Sequence, residues 1–533
     1  MSTPAARTIG VLGAGTMGAG IAQLAARSGA RTLLHDPIPE ALQRGAKRVV
    51  EGLQKEAAKG KLSAEEAQAA AARLQAVESI EALAPCELVI EAAPERLDLK
   101  HELYRELSRV VSEECVLATN TSSLPVTAVA AAATHPERVV GMHFFNPAPV
   151  MALLEVIAGM RSSDMALALA TATGEAMGKT TIRASDGPGF LVNRCNRPFG
   201  LEALRLLGEQ IADVETIDRI VRMEGGFRMG PFELSDLVGV DTGFDVARSF
   251  YELGFGEPRW RPSPIQARMA AAGLHGRKSG QGYYDYSGDG PHRPEDPEPP
   301  SASDPPADGE GLVVICGEGV LAGELRTAAA QAGYEVHSPQ DAQRELPALI
   351  VECGLGGEGD TARGGPRVVL CDSGSLASLD PGGPSVGFHV LPPFQEAGLV
   401  ELTRSEHSSP SAVARAERFF TALGKHTAWV GDAPGLVLGR IVCQVINESA
   451  FALGEGVGSA ADIDTGMKLG MNHPRGPLEW ADKIGLDHVL TVLEALSDEY
   501  REERYRPAPV LRRLVLSEHL GRDVGQGFFE YEV

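Results

Sequence analysis

The chain has 533 residues, which is too long for a single hydrophobic core, so we expect two to four domains. Its net charge of −23 argues against nucleic acid and anionic membrane surfaces as partners, and no apolar run reaches the length of a membrane span. The seven cysteines lack metal-ligand spacing, and the first predicted strand leaves no room for a signal peptide. We therefore expect a cytoplasmic protein with free thiols and no metal site.

A strand, a glycine-rich turn and a helix open the chain. The apolar run Thr8–Leu12 predicts a buried parallel strand, and Met17–Ser28 predicts a helix that ends at Gly29. Between them stands Gly-Ala-Gly-Thr-Met-Gly, whose glycines permit a tight turn, a close approach of the backbone to a pyrophosphate, and packing of the helix on the strand. The helix N-terminus supplies free N–H groups for phosphates. The residues predicted to bind a dinucleotide here are Gly13, Gly15, Thr16, Met17 and Gly18.

A second predicted strand, Arg31–His35, ends at Asp36, about twenty residues after the glycine motif. A carboxylate at this point of a dinucleotide-binding unit hydrogen-bonds the ribose 2′-hydroxyl and repels a 2′-phosphate. The sequence therefore predicts NAD, and not NADP, as the cofactor.

Polar motifs further along predict oxidation of a secondary alcohol. This reaction needs a base that takes the hydroxyl proton while a hydride leaves for the nicotinamide. His143, after the predicted strand Arg138–Met142, is the candidate base because imidazole titrates near neutral pH. Glu155, in the next apolar stretch, is predicted to orient the imidazole. Ser122 and Asn193 are uncharged donors suited to the substrate oxygen or to a thioester carbonyl.

The two halves of the chain resemble each other. Between them lie residues 287–310, rich in proline and acidic residues, which we expect to form an extended and exposed linker. Asp-Gly-Pro-Gly-Phe in the first half recurs as Asp-Ala-Pro-Gly-Leu in the second, and Gly-Gln-Gly-Tyr-Tyr recurs as Gly-Gln-Gly-Phe-Phe. The glycine motif has an echo in Gly317-Glu318-Gly319. Three matching pairs 246 positions apart are Asp186 and Asp432, His143 and His389, and Glu155 and Glu401.

With these motifs in this order, residues 8–286 resemble the L-3-hydroxyacyl-CoA dehydrogenase family, and the whole chain resembles its long bacterial form. The resemblance implies reversible NAD-dependent oxidation of (S)-3-hydroxyacyl-CoA to 3-oxoacyl-CoA. It favours a short-chain substrate such as 3-hydroxybutyryl-CoA or 3-hydroxyadipyl-CoA, in fatty acid or aromatic catabolism. It implies cofactor contacts from Glu95, Lys100, Asn120, Asn146 and Lys278, and contacts to CoA from Ser122 and from Lys59 in the basic, predicted helical segment 47–61.

The predicted fold is an α/β Rossmann-type domain followed by an all-α domain, with this pair duplicated and the second Rossmann-like domain degenerate. Gly439 replaces Asn193 and Gln340 replaces Asp36, so we expect the second half to be silent and to bind no NAD. The second helical domain permits either a homodimer or a pseudo-dimer within one chain. The predicted domains are 1–185 for NAD binding with a helical hairpin insert, 186–286 for substrate and dimer contacts, the linker 287–310, 311–432 and 433–533.

Two other functions fit parts of the pattern. The broader β-hydroxyacid dehydrogenases share the Gly-x-Gly-x-Met-Gly start and oxidise free acids, but they tend to use a lysine on the following helical domain. A crystallin-like binding protein would keep the fold without the chemistry. Such a protein would be free to lose the four candidate catalytic residues Ser122, His143, Glu155 and Asn193, all of which are present.

Overall fold

The computed structural model describes residues 3–298, 311–339, 346–354 and 364–532. The chain forms two compact units, one of Met1–Arg194 with Glu455–Met471 and the other of Cys195–Gly454 with Asn472–Val533. Among the described residues, no helix is both long enough and apolar enough to cross a membrane. All seven cysteines are free thiols, as predicted.

The first unit is built on one eight-stranded sheet. Its strands are β1 (Thr8–Leu12), β2 (Arg31–His35), β3 (Leu74–Val77), β4 (Leu88–Glu91), β5 (Val116–Thr119), β6 (Val139–Phe144), β7 (Leu153–Ala158) and β8 (Thr180–Ser185). Their order is β3-β2-β1-β4-β5-β6-β7-β8, and all neighbours are parallel except β6 and β7. The helices are α1 (Thr16–Arg27), α2 (Pro39–Ala58), α3 (Ala64–Arg73), α4 (Leu97–Val110), α5 (Val126–Ala130), α6 (Asp164–Ala176) and α7 (Val192–Cys195).

The first strands and the glycine turn form as their sequence predicts. Strands β1 and β2 have the predicted bounds, and α1 begins and ends one residue earlier than expected. Gly13 has a φ of +102°, a conformation that favours glycine. A Cβ on Gly18 would lie 1.8 Å from the carbonyl oxygen of Gly13, so only glycine lets α1 approach the turn this closely.

The second unit contains another sheet of seven strands and all the remaining helices but one. The elements, in chain order, are α8 (Arg197–Gly208), α9 (Val214–Met223), α10 (Pro231–Val238), α11 (Val240–Leu253), α12 (Pro264–Ala271), β9 (Leu312–Cys316), α13 (Val320–Gln331), β10 (Glu335–His337), β11 (Leu349–Glu352), β12 (Arg367–Leu370), α14 (Leu376–Leu379), β13 (Val386–His389), β14 (Leu399–Arg404), α15 (Pro410–Ala422), β15 (His426–Trp429), α16 (Leu438–Gly454), α17 (Ala460–Met471, which belongs to the first unit), α18 (Pro477–Ile484), α19 (Leu486–Tyr500) and α20 (Pro509–Leu516).

The second sheet repeats the first without its outermost strand. Its order is β10-β9-β11-β12-β13-β14-β15, with β13 and β14 antiparallel as β6 and β7 are. Gly317 has a φ of +105°, close to that of Gly13, so the turn after the first strand is kept. Among the described residues nothing takes the place of β3. Gln340, the predicted replacement for Asp36, lies outside the described residues.

Part of the expected linker is held by ion pairs. Asp296 accepts from Nε and Nη2 of Arg222, both at 2.7 Å, and the ring of His292 lies 2.8 Å from Glu233. Most of residues 287–298 are exposed, as expected of a linker, whereas His292, Arg293 and Asp296 are half-buried and pair with buried groups of the first helical segment. Residues 299–310 lie outside the described residues.

Two buried arginines at matching positions link the two halves of the chain. In the second unit, α8 packs against α16, and Arg440 of α16 donates to Glu202 at 2.7 Å and to Glu209 at 2.6 Å. In the first unit, Arg194 pairs with Glu455 at 2.8 Å. Arg194 and Glu209 lie 246 positions before Arg440 and Glu455, respectively. Each half therefore makes the same charged contact to the other.

Candidate active site

His143 and Glu155 form a buried pair on adjacent antiparallel strands. They stand opposite each other in the β6–β7 ladder, with His143 Nδ1 2.6 Å from Glu155 Oε2. His143 lies within β6, which extends two residues beyond the predicted strand. The other oxygen of Glu155 accepts from the backbone N–H groups of Leu191 and Val192, at 3.2 and 3.0 Å. Three contacts thus fix a carboxylate that is 0% exposed.

This pairing determines which nitrogen of His143 is available. A carboxylate oxygen only accepts hydrogen bonds, so Nδ1 donates its proton to Glu155, and Nε2 carries the lone pair of the neutral ring. Nε2 lies 3.0 Å from the hydroxyl of Ser122, which is exposed. The rings of Phe145 and Phe190 flank the imidazole at 4.7 and 5.7 Å between centroids and restrict its rotation. The geometry therefore presents one basic nitrogen beside one exposed hydroxyl.

Glu95 holds the turn that carries Ser122. Its Oε1 accepts from the backbone N–H groups of Ser122 and Ser123, both at 2.9 Å, and from the hydroxyl of Thr121 at 2.5 Å. Burial alone would raise the pKa of Glu95, but the Lys100 ammonium and these donors outweigh it and lower the pKa. The ionised carboxylate thereby sets the position of the serine hydroxyl.

Lys100 lies beneath Glu95 and not at the surface. It is 1% exposed, and its Nζ donates to both oxygens of Glu91 at 2.8 and 2.9 Å and lies 3.3 Å from Glu95. Direct contact of Lys100 with a cofactor was expected, but in the structure its ammonium is enclosed by carboxylates. Glu91 and the adjacent Thr119 were not identified from sequence. The available signal was a glutamate at the end of an apolar strand with a lysine nine residues later, in the following helix.

The remaining predicted cofactor contacts lie at two places in the first unit and one in the second. Asn120 follows β5, and its Oδ1 accepts from the N–H of Phe144 at 2.8 Å. Asn146 is exposed in the loop after β6. Lys278 lies in the second unit, where its Nζ pairs with Asp241 at 2.6 Å.

Lys179, not identified from sequence, anchors the loop that carries Asn146. Its Nζ donates to the carbonyl oxygens of Ala148 and Met151, both at 2.6 Å. Burial, together with the charge of Arg27, lowers the pKa of Lys179 to about 8. Lys425, 246 positions later, binds the carbonyls of the matching loop, and this repetition was the signal available in the sequence.

Asn193 and Lys59 differ in their surroundings. Asn193 is half-buried in α7, directly after the two residues whose N–H groups bind Glu155, so it lies beside the His143–Glu155 pair.

Lys59 is exposed one residue beyond the end of α2, so the predicted helix over 47–61 stops before it. The capping box of Ser63 and Glu66 starts α3 shortly after, so this part of the chain forms the two helices α2 and α3.

The glycine turn and Asp36 fit a dinucleotide. The N-terminus of α1 has no side-chain cap at Gly15, and a Cβ on Gly15 would meet nothing within 4 Å, so there is open space beside the turn. Asp36 is half-buried and accepts from the N–H of Ala14 at 2.8 Å through one oxygen, which ties the ribose position to the phosphate turn. Free helix N–H groups and a fixed carboxylate are the groups that bind a pyrophosphate and a ribose diol.

The matching pair in the second unit is broken. His389 and Glu401 stand opposite each other in the β13–β14 ladder, but neither ring nitrogen of His389 has a hydrogen-bond partner among the described residues. Each oxygen of Glu401 accepts one backbone N–H, from Val437 and Leu438 at 2.8 Å. The ring of His389 turns towards Gly439, where a Cβ would lie 2.2 Å from Cε1. The loss of the side chain present in Asn193 thus makes room for the displaced ring.

A third acidic residue joins this pair. Glu224, after α9, is 4% exposed and lies beside Glu401. Burial and the nearby charge of Glu401 raise the pKa of Glu224, and burial raises the pKa of Glu401 to about 8. Burial also lowers the pKa of His389, so its imidazole is neutral at neutral pH. His389 is therefore not held by its glutamate in the way that His143 is.

Comparison with known proteins identifies the family of the chain. Residues 8–187 match the family model "3-hydroxyacyl-CoA dehydrogenase, NAD binding domain", and residues 189–286 and 435–531 each match "3-hydroxyacyl-CoA dehydrogenase, C-terminal domain". The chain is 37% identical to a 3-hydroxyadipyl-CoA dehydrogenase of Escherichia coli over 514 residues, covering 96% of this chain and 98% of that protein.

Two further relatives differ in length. A crystal structure of 3-hydroxybutyryl-CoA dehydrogenase from Escherichia coli matches with a TM-score of 0.81 and 35% identity over 96% of this chain and 99% of that one. A probable 3-hydroxybutyryl-CoA dehydrogenase of Deinococcus radiodurans is 41% identical over 277 residues, covering 52% of this chain and 99% of that protein. The chain therefore belongs to the 3-hydroxyacyl-CoA dehydrogenase family.

Proposed function

We propose that the chain oxidises (S)-3-hydroxyacyl-CoA to 3-oxoacyl-CoA with NAD, and catalyses the reverse reduction, at a single site in its first half. The observation that carries the proposal is the oriented His143, with Nδ1 bound to Glu155 at 2.6 Å and Nε2 3.0 Å from the Ser122 hydroxyl. This arrangement supplies the base that alcohol oxidation needs. The names of the relatives support an acyl-CoA substrate of short chain length.

His143 takes the proton of the substrate hydroxyl on Nε2 as the C–H bond at the same carbon breaks. Glu155 stabilises the imidazolium that results, because its carboxylate already accepts from Nδ1. Ser122 and Asn193 donate hydrogen bonds to the substrate oxygen or to the thioester carbonyl, and they stabilise negative charge on oxygen in the reduction direction. In that direction the imidazolium returns its proton to the oxygen.

NAD⁺ supplies the hydride acceptor when bound. Gly13, Gly15 and the N-terminal residues of α1 would hold its pyrophosphate, and Asp36 its adenosine ribose. Asn120 and Asn146 border the same edge of the sheet and would contact the nicotinamide half. Glu95, supported by Lys100, acts in this proposal by positioning Ser122, and Lys59 would contact the CoA phosphates from the surface.

Turnover of acetoacetyl-CoA with NADH tests the proposal directly. We expect oxidation of NADH that depends on the thioester, and a panel of 3-oxoacyl-CoA substrates of increasing length should show a preference for short chains. Activity on free 3-hydroxy acids without activity on CoA thioesters would instead support the β-hydroxyacid dehydrogenase alternative. Absence of turnover with either substrate class would support a crystallin-like binding protein.

We further propose that the chain is an internal duplication that forms a pseudo-dimer, with domains 1–185, 186–286, 311–432 and 433–533. The reciprocal pairs Arg194–Glu455 and Arg440–Glu209 support it, since a two-fold interface makes each contact twice. Light scattering coupled to size exclusion should then report a particle of one chain, 56.3 kDa. A particle of two chains would favour the homodimer alternative.

A further inference from the structure

The pocket around His389 contains potential ligand atoms that lack partners. Glu224, His389 and Glu401 each offer one atom such that all three atoms lie within 4.8 Å of one another. His389 and Glu401 are 0% exposed, both nitrogens of His389 have no hydrogen-bond partner among the described residues, and the carboxyl groups of Glu224 and Glu401 lie within hydrogen-bonding reach of each other. Unpaired buried polar groups cost free energy, so a partner of suitable chemistry is expected there.

We propose that Glu224, His389 and Glu401 bind a divalent transition-metal ion, for which Zn²⁺ fits the donor set. One imidazole nitrogen and two carboxylate oxygens are ligands that zinc accepts, and a fourth position is left for water. Two carboxylates balance the two positive charges of the ion. The ion thereby removes the repulsion between two buried acidic groups, which otherwise requires a shared proton.

The surroundings of the three residues support this assignment. Ligand distances of about 2.0–2.2 Å place tetrahedral ligands about 3.4 Å apart, so the longest separation must shorten by at most about 1.5 Å through side-chain rotation. The N–H groups of Val437 and Leu438 orient Glu401 from outside the site, as second-layer donors do for metal-binding carboxylates. Gly439 leaves the space in which the ring of His389 lies.

The matching pocket of the first unit lacks the means to bind such an ion. Gly470 stands 246 positions after Glu224 and offers no ligand atom. Both nitrogens of His143 already have partners, Glu155 and Ser122. The comparison confines the proposed metal site to the second unit.

An acidic cavity of about 340 Å³ lies near the site. His488 lines the cavity, and its ring centroid lies 5.7 Å from that of His389. The described residues that line the cavity include no lysine or arginine. The electrostatic potential in the cavity is therefore negative and attracts cations. Its acidic lining residues are Glu318, Asp372, Asp482, Asp487 and Asp523.

Zinc binding by the full-length protein tests the proposal. After removal of metals with a chelator, the chain is titrated with ZnCl₂ by calorimetry, and bound zinc is counted by elemental analysis. We expect Glu224→Gly, which installs the residue of the first unit, to lose one equivalent or to bind it at least about tenfold more weakly. The isosteric Glu224→Gln should lose it too, and Glu155→Gln, which alters the matching pair of the first unit, should retain it.

Spectroscopy and diffraction on the wild type keep the test independent of how the variants fold. X-ray absorption at the zinc edge should show nitrogen and oxygen ligands without sulfur. Crystals soaked in zinc should give an anomalous peak between Glu224, His389 and Glu401. An unchanged stoichiometry in Glu224→Gly, sulfur ligands, or no peak at these residues would each overturn the proposal. The dehydrogenase assignment is unaffected by any of these outcomes.

Discussion

The two His–Glu pairs have the same backbone register and opposite side-chain contacts. His143 and Glu155 are hydrogen-bonded, whereas the ring of His389 has turned away from Glu401 and has no partner among the described residues. Strand pairing alone therefore does not produce a base. The difference lies in residues outside the strands, which either hold the imidazole on the glutamate or allow it to leave.

Two exchanged positions account for the difference. Asn193 in the first half corresponds to Gly439, which opens the space that His389 enters. Gly470 corresponds to Glu224, and each of these belongs to a helical segment of the other half of the chain. A Cβ on Gly470 would lie 2.9 Å from Leu153 and 3.4 Å from Phe145, so the first pair depends on a glycine supplied by the second half.

The largest effect is expected from removal of the intact base. His143→Ala should lower kcat on the order of 10²–10⁴, because a general base contributes about that factor, while NADH binding stays close to wild type. Steady-state kinetics and fluorescence titration with NADH measure the two quantities. Ser122→Ala should also impair turnover, whereas His389→Ala, the matching change in the second half, should not. A His143→Ala enzyme with a third of the wild-type kcat would refute the assignment.

The next largest effect is expected when the glutamate of the second pair is introduced at the matching position beside the first pair. Gly470→Glu places a carboxylate against Phe145, whose ring packs on His143, and adds a charge near Glu155. Displacement of the base by about 1 Å is expected to lower kcat about 10²-fold. Gly323→Glu, on the exposed face of α13 with open space around it, is the control. Equal activity of the two variants would show that Gly470 has no part in holding the site.

The reciprocal arginines should differ in their effect on stability. Arg440 is 0% exposed and neutralises Glu202, so Arg440→Leu should lower the free energy of unfolding by about 3–5 kcal/mol. Arg194→Leu should cost less, because its partner Glu455 is 48% exposed. Denaturant unfolding monitored by circular dichroism gives both values, and the reverse order would contradict this account.

The same contact predicts how stability depends on pH. Burial opposes ionisation of Glu202, but Arg205 and Arg440 outweigh it and lower its pKa from 4.5 to about 2. A depressed carboxyl pKa stabilises the folded state above the unfolded value of 4.5, and this contribution is lost as the pH falls towards 2. Arg440→Leu should flatten that acid slope, measured as the melting temperature from pH 6 down to pH 3. An unchanged slope would assign the acid sensitivity to other groups.

The smallest effect concerns the cofactor. If Asp36 binds the ribose diol, the wild type should prefer NADH over NADPH by at least ~1–3 kcal/mol in kcat/KM, and Asp36→Ala should narrow the difference. The assay compares the two cofactors at a fixed concentration of thioester. Equal kcat/KM values for the wild type would refute the role of Asp36.

Local patterns in the sequence identified much of the fold and the centre of the site. The strand bounds of β1 and β2, the glycine turn and the pairing of His143 with Glu155 depend on neighbours along the chain or on one strand register, so they are readable. The helical insert was also predicted, although Lys59 lies beyond the end of α2.

Features set by contacts between distant segments were missed. Lys100 is enclosed by Glu91 and Glu95, and residues 292–296 pair with Arg222 and Glu233, because burial of a charge depends on the whole packed unit. Glu401 and His389 remained in register, but their separation depends on Glu224 and Gly439, which no local pattern connects to them.

The central claim is that one chain contains one working site, and the stoichiometry of NADH binding tests it most directly. Isothermal calorimetry on the full-length protein should give one NADH per chain, because the second half places the exposed Glu318 at the N-terminus of α13, where the phosphates would lie. Two sites of similar affinity per chain would contradict the account and show that the second half also binds the cofactor.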